Sequence, residues 1–292
     1  MTVGLRVSII IPCYNSGSYI HRAIHSALRQ TYRNVEIIVV DDGSTDHTKE
    51  VVSQFSDVIY FYQKNSGVSR ARNVGASLSS GKYLVFLDAD DWLFPNSVDI
   101  QMKYFTDHPN LALLSGCHMK INSQKHEIYY KQYEVKRDNY LHMLKSNYIG
   151  PPIAAMFDKE IFLKYRFNET YRYSEDYDLY LRISKSEKIL HHSEFVAAYY
   201  IHPESVSANR DILMMESSLY ILKSVLGENP TTEEIAAYKI GVKNWKNLYT
   251  HNIYWSVFRD KSQKKRTRDK FFLLKHNPGL FGKYLMNLIL GR

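Results

Sequence analysis

The stretch Val7-Ser8-Ile9-Ile10-Ile11-Pro12-Cys13-Tyr14-Asn15 decides how the rest of the chain is read. Val7–Ile11 is short, mostly β-branched and unbroken by charge, and it stops at a proline followed by polar residues. That is the pattern of a strand buried on both faces, as in a parallel sheet. The pattern returns at Val35–Val40, Val58–Tyr62 and Tyr83–Leu87. Between these runs, Tyr19–Leu28, Asp46–Gln54 and Ser69–Ser79 read as amphipathic helices. Ser18 and Ser44 or Thr45 are the expected N-caps, and Gly81 is a stop signal. Strand–helix alternation of this kind predicts an α/β fold with a doubly wound, mostly parallel sheet.

After residue 90 the rhythm changes. A helix is expected after Pro95, a strand near Leu111–His118, a polar aromatic stretch at Glu127–Tyr133 and a turn at Gly150-Pro151-Pro152. Glu175–Ser184 reads as a helix and Phe195–Ile201 as a last strand. From about residue 210 the pattern is helical, clearest at Ile212–Leu226 and Glu233–Tyr249. No internal repeat is present.

In an open parallel sheet, ligands bind at the carboxyl ends of the strands. Three polar clusters fall there: Pro12-Cys13-Tyr14-Asn15, Asp41-Asp42-Gly43-Ser44 and Asp88-Ala89-Asp90-Asp91. Carboxylates gathered at one sheet edge repel one another unless a cation or donor groups meet them. Asp-x-Asp suits a hard divalent cation that also binds a phosphate. The plainer alternative is that each Asp caps the helix that follows. Neither a Walker A loop nor a G-x-G-x-x-G fingerprint occurs, so a bound nucleotide must be held by carboxylates, metal and backbone.

As an ordered set, these residues resemble the family 2 glycosyltransferases. The set is Val7–Asn15, Val39-Val40-Asp41-Asp42-Gly43-Ser44-Thr45-Asp46, Asn65-Ser66-Gly67, Ala71-Arg72-Asn73-Val74-Gly75, Asp88-Ala89-Asp90-Asp91 and Ser174-Glu175-Asp176-Tyr177-Asp178-Leu179. The likeness covers roughly residues 5–207. It implies a GT-A fold, Rossmann-like, across residues 1–209, with a nucleotide-sugar half at about 1–92 and an acceptor half at about 93–209. A helical extension, 210–292, follows. It also implies inverting transfer from a nucleotide-sugar donor, with UDP the typical nucleotide and Mn²⁺ or Mg²⁺ as cofactor.

Position by position, the resemblance assigns Asp42 to the base, with Pro12 and Tyr14 framing that pocket. Asp88 and Asp90 are assigned to the metal and the ribose–diphosphate, with Asp90 the more direct metal ligand. Arg72 lies near the donor phosphates, Asp176 is the catalytic base, and His202 is a late metal-facing histidine. The family often carries an arginine two residues before that histidine; here the position is Tyr200. Trp92 is a candidate floor for an acceptor sugar or a core residue, and Glu175 a second acceptor-side candidate. The alternatives are a sugar nucleotidyltransferase and a non-enzymatic membrane- or glycan-binding module.

The net charge of +8 is not spread over the chain. Residues 259–292 hold ten basic and two acidic side chains, so residues 1–258 are balanced and a general nucleic-acid binder is excluded. Two cysteines, Cys13 and Cys117, are too few for a disulfide framework or zinc cluster. The run Val7–Ile11 is too short for a signal peptide, and no stretch is long enough to span a bilayer. The basic tail, with Phe271-Phe272-Leu273-Leu274 and Leu280–Leu290, reads as a membrane-surface segment. That reading places the protein in the cytoplasm, peripheral on the inner face of the membrane, working on a saccharide or lipid-linked saccharide acceptor. The alternative is that Phe281, Leu285 and Leu288 pack on the catalytic domain or on a second subunit of a homo-oligomer, with the lysines solvated.

Overall fold

The computed structural model describes residues 4–122, 127–130, 134–202, 205, 210–259 and 263–289. They form two compact units, the first from residues 1–143 with 147–202 and the second from 144–146 with 203–292.

The first unit is built on one mixed sheet. Its elements are β1 (Val7–Cys13), α1 (Ile20–Leu28), β2 (Val35–Asp41), α2 (Thr48–Val52), β3 (Val58–Tyr62), α3 (Val68–Leu78), β4 (Tyr83–Phe86) and β5 (Trp92–Leu93). There follow α4 (Ser97–Asp107), β6 (Leu113–Asn122), β7 (Glu127–Tyr130), α5 (Asn139–Lys145), β8 (Ala155–Asp158), α6 (Lys159–Tyr165), α7 (Glu175–Ser186) and β9 (Ile189–Ile201). The strand order is β3-β2-β1-β4-β8-β6-β9-β5, with β7 on β6. β3, β2, β1 and β4 run parallel, as the apolar runs predict. Beyond β4 the sheet is mixed: β8 pairs antiparallel with β4 and β6, while β6 and β9 are parallel.

Burial explains the parallel half. Every residue of β1 and β4 is buried, and β3, at the edge, has exposed residues. Ile9, Ile10 and Ile11 are fully buried, and each contributes about 2 kcal/mol of transfer free energy. Helix α3 crosses β1 so closely that a Cβ at Gly75 would meet Ile10 Cγ2 at 2.4 Å.

Two expected N-caps are corrected. Ser18 does not cap α1; Tyr19 is the N-cap residue, and the Ser16 carbonyl accepts from the amides of both Tyr19 and Ile20. Ser44 and Thr45 do not cap α2. Ser44 Oγ accepts from Asn15 N and Thr45 N donates to Asn15 Oδ1, so both tie one strand-end loop to its neighbour. Asp46 takes over at α2, accepting from Thr48 N at 3.0 Å and Gly17 N at 3.0 Å.

The second unit holds α8 (Asp211–Ser224), α9 (Thr232–Arg259), α10 (Gln263–His276) and α11 (Pro278–Ile289). Leu144–Ser146 belong with it: Asn244 Nδ2 donates to the Lys145 carbonyl, and a Cβ at Gly241 would collide with the Leu144 carbonyl oxygen. No described helix is long and apolar enough to cross a membrane. Residues 131–133 of the polar aromatic stretch, Pro203, Glu204, Val206, Ser207, the expected boundary at 209, Asp260, Lys261, Leu290 and Arg292 lie outside the described residues. So do the side chains of Arg259, Lys264, Lys265, Arg266 and Leu288.

Candidate active site

β1 lies between β2 and β4, where the strand order reverses, and the segments leaving β1, β2 and β4 meet at one sheet edge. Asp42 N donates to the Cys13 carbonyl, and Leu87 N to Ile10. Pro12 is buried at this edge, whereas Tyr14 is 51% exposed.

Asp42 is buried and its carboxylate is engaged. Oδ1 accepts from Gln63 Nε2 at 2.7 Å and Ser66 N at 2.8 Å, and Oδ2 accepts from Gly67 N at 2.7 Å. It therefore fixes the Asn65-Ser66-Gly67 loop that leads into α3. The neighbouring turn has room only for glycine: Gly43 has φ +84°, and a Cβ there would lie 2.8 Å from Asn65 N.

From α3, Arg72 reaches under the acidic turn. Its Nη2 donates to Asp88 Oδ1 at 2.6 Å and its Nη1 to Glu175 Oε1 at 2.8 Å. Burial works against the guanidinium charge, but the two carboxylates more than offset it, and its pKa moves up. Arg72 thus links the acidic turn after β4 to the start of α7.

Asp176 lies in the first turn of α7, behind Ser174, which is left-handed at φ 58°. Asp176 Oδ1 accepts from Tyr177 N at 2.7 Å. Desolvation, then the Glu175 charge, push its pKa up to about 7, against the lowering effects of that amide and Arg72. A carboxylate with such proton affinity is a stronger base than a solvated one and is still half ionised near neutrality. Merely stabilising the helix N-terminus would call for the opposite shift.

In the turn itself, Asp90 Oδ2 lies 2.9 Å from His202 Nε2. Burial and the Asp88 charge raise the Asp90 pKa. Asp91 is fully buried and more strongly raised, by burial and then by Asp90; its Oδ1 accepts from Tyr200 N at 2.8 Å. Three neighbouring carboxylates form a set whose negative charge a divalent cation would relieve, and oxygen plus imidazole donors suit Mg²⁺ or Mn²⁺. Among the described residues no three such ligands yet converge on one point, because Asp88 is turned to Arg72. Asp90 and His202 would hold the metal.

Trp92, half-buried, and Glu175 each meet an arginine. The Arg22 guanidinium carbon lies 4.1 Å from the Trp92 ring centroid, and Glu175 is taken by Arg72. Three residues that the sequence reading did not single out as site residues enter the neighbourhood. Asp91 anchors the turn, Tyr200 packs on His202 at 5.4 Å between centroids, and Arg22 lies over both Trp92 and Tyr200.

Residues 8–166 match the family model described as Glycosyl transferase family 2. An uncharacterized glycosyltransferase of Rickettsia typhi is 34% identical over 206 residues, covering 67% of this chain and 64% of that protein. The hyaluronan synthase of Pasteurella multocida is 28% identical over 232 residues, 77% of this chain and 24% of its own length. The chain therefore spans less than two thirds of these relatives. A crystal structure of S. aureus TarS 1-349 in complex with UDP-GlcNAc superimposes with a TM-score of 0.67 at 17% identity, covering 94% of this chain and 83% of that one, so the GT-A fold is shared. The family match decides against the nucleotidyltransferase alternative. With its ordered strand-end clusters, its sheet and a matched segment longer than half its length, this chain belongs to glycosyltransferase family 2.

Proposed function

We propose that the chain transfers a sugar, with inversion, from a nucleoside-diphosphate donor, UDP-linked, to a glycan or lipid-linked saccharide in bacterial cell-surface polysaccharide synthesis. The observation that carries this reading is Asp176. It has a proton affinity near neutrality and stands beside an Arg72 that also grips the acidic turn.

In this reading Pro12 and Tyr14 frame the base, and Asp42 contacts it while holding the bordering loop. Arg72 supplies fixed positive charge near the diphosphate. A divalent cation held by Asp90 and His202, with Asp88 alongside, would neutralise negative charge developing on the leaving diphosphate. Asp176 accepts the proton of the acceptor hydroxyl as that oxygen attacks the anomeric carbon from the face opposite the leaving group. Glu175 and Trp92 border the acceptor side. The names of the relatives support this class of product, and the UDP-GlcNAc bound by TarS supports the nucleotide.

The test is release of UDP from UDP-glucose, UDP-galactose and their N-acetyl forms, with Mn²⁺, with Mg²⁺ and with chelator. Release from one donor, abolished by chelator and by Asp176→Asn, is the expected result. No release or binding with any donor overturns the reading.

The basic tail favours a second element of the proposal, attachment to an anionic membrane surface on its cytoplasmic side. On α10, Phe271 is 71% exposed and Leu274 47% exposed, beside exposed Arg268 and Lys275. Apolar side chains flanked by cations suit the interface of a bilayer.

A further inference from the structure

Helix α1 has an apolar face, with Ile20, Ala23, Ile24 and Ala27 buried, and a polar stripe, Arg22 and Ser26, which Gln30 continues two residues past the end of the helix. A polar stripe on an amphipathic helix ordinarily faces water. This one is spent on the segment that leaves the acidic turn. Arg22 Nη2 donates to the Asp90 carbonyl at 2.5 Å, Ser26 Oγ accepts from Leu93 N at 3.1 Å, and Gln30 Nε2 donates to the Phe94 carbonyl at 2.8 Å. Gln30 Oε1 also accepts from Val98 N at 3.1 Å. Two turns of α1, with Gln30 just past its end, therefore hold residues 90–98.

Arg22 is the member nearest the chemistry, and it is clamped. Its guanidinium carbon lies 4.1 Å from the Trp92 ring centroid and 4.5 Å from that of Tyr200. Tyr200 stacks on His202, whose centroid is also 4.5 Å from Tyr19, and the Tyr200 amide holds Asp91. The forked guanidinium can pack on both rings and still direct a donor at a carbonyl, for which a compact ammonium is less suited. The consequence is a fixed cluster: the Trp92 and Tyr200 rings, tilted by 47° with centroids 6.4 Å apart, share the Arg22 guanidinium, and His202 stacks on Tyr200, with the Asp90 carboxylate against the histidine and the Asp90 carbonyl against the arginine.

We infer that Arg22 is a positioning residue for the acidic turn: packed on both Trp92 and Tyr200, it fixes the backbone of Asp90 and so keeps the Asp90 carboxylate beside His202, where the two would hold a divalent cation. Arg22 touches neither the cation nor the donor. The inference rests on the metal-facing role proposed for Asp90 and His202. Outer residues that orient a metal's ligands commonly change its affinity by about 10- to 100-fold when replaced.

The test uses Arg22→Met, which keeps the stem and removes the fork, and Arg22→Lys, which keeps the charge. Two quantities are read: Mn²⁺ affinity with UDP present, from electron paramagnetic resonance titration, and amide exchange of the peptide covering residues 88–96. In Arg22→Met, Mn²⁺ affinity is expected to fall about tenfold and exchange to rise, while metal-free UDP affinity stays within about twofold. Arg22→Lys is expected to recover part of both; if Arg22→Met does not fold, Arg22→Lys against the unmodified chain carries the same comparison.

Unchanged exchange overturns the inference, whatever happens to the metal, because the turn then does not depend on Arg22. Faster exchange with unchanged Mn²⁺ affinity also overturns it, leaving Arg22 a merely structural clip. If the unmodified chain binds neither Mn²⁺ nor UDP, it is the transferase reading that fails, and the exchange of residues 88–96 alone then decides whether Arg22 fixes the turn.

Discussion

Arg72 Nη2 lies 2.6 Å from Asp88 Oδ1, joining α3 to the acidic turn after β4, while its other arm holds Glu175 at 2.8 Å. The Arg72 side chain is 4% exposed and that of Glu175 13%, so solvent screens this part of the network little. Removing the arginine leaves two carboxylates facing each other without compensation. Arg72→Met is therefore expected to cost about 3 kcal/mol of stability and to abolish transfer. Adding Glu175→Gln removes one of the stranded charges. The double variant should regain part of the melting temperature and none of the activity, a combination that thermal unfolding alongside UDP release will check.

In its proposed role as general base, Asp176 would give the reaction a pH dependence of defined sign. Only the ionised form accepts a proton, and the pKa is raised to about 7. The rate should therefore be full above pH 7 and fall about tenfold for each pH unit below it. Asp176→Asn should lower kcat by about 10²- to 10⁴-fold, leave donor affinity nearly unchanged and remove the acidic limb from the residual activity. Steady-state kinetics between pH 5 and 9 would show it, and an acidic limb persisting in Asp176→Asn would assign the titration elsewhere.

How far the sequence carried the reading depends on how each residue's neighbours are chosen. β1 to β4 were legible because both faces are buried, which forces uninterrupted apolar runs. The acidic clusters were legible because the ends of parallel strands collect ligand-binding loops. Arg22 was not, since a charged residue on an amphipathic helix looks the same whether it meets water or a carbonyl 68 residues away. β9 begins at Ile189, six residues before the expected Phe195, because His191 and His192 read as polar yet are fully buried. His191 pairs with Ser115 through Nδ1 at 2.9 Å, and His192 stacks on Tyr104 at 4.5 Å, contacts that no local pattern announces.

Those histidines make the first unit sensitive to acid. Burial pushes His191 and His192 down to about 4, and His118 down to about 3. The unfolded chain binds these protons near pH 6.5, the folded chain only well below it, so their contribution to stability is complete above pH 6.5 and is lost as pH falls towards 4. At pH 5 each lost contribution amounts to about 2 kcal/mol. The raised Asp176 pKa acts in the opposite sense, favouring the folded state as pH drops below 7, so it offsets part of the loss. His192→Phe keeps a ring against Tyr104 and removes one titrating group. Its melting temperature should change less between pH 7.5 and pH 5 than that of the unmodified chain, and an equal change would mean that His192 is not part of the acid response.

The tail separates location from chemistry. Within the second unit Phe272, Leu273 and Tyr284 are buried, whereas Phe271, Leu274, Leu285 and Met286 are exposed. The buried set lies in the packing of the helices; the exposed set is left largely to solvent, with Arg268, Lys275 and Lys283 exposed beside it. Burying a phenylalanine and a leucine in an interface gains about 2 kcal/mol each, and a cation near an anionic leaflet adds about 1 kcal/mol. Phe271→Ser with Leu274→Ser should therefore abolish flotation with phosphatidylglycerol vesicles. UDP release towards a water-soluble acceptor should remain unchanged, because neither residue lies in the catalytic unit. Replacing Lys275 and Lys283 by glutamine should weaken flotation in proportion to the anionic lipid present and leave neutral vesicles unaffected. Undiminished flotation in the serine variant would assign the exposed apolar residues to a protein surface instead.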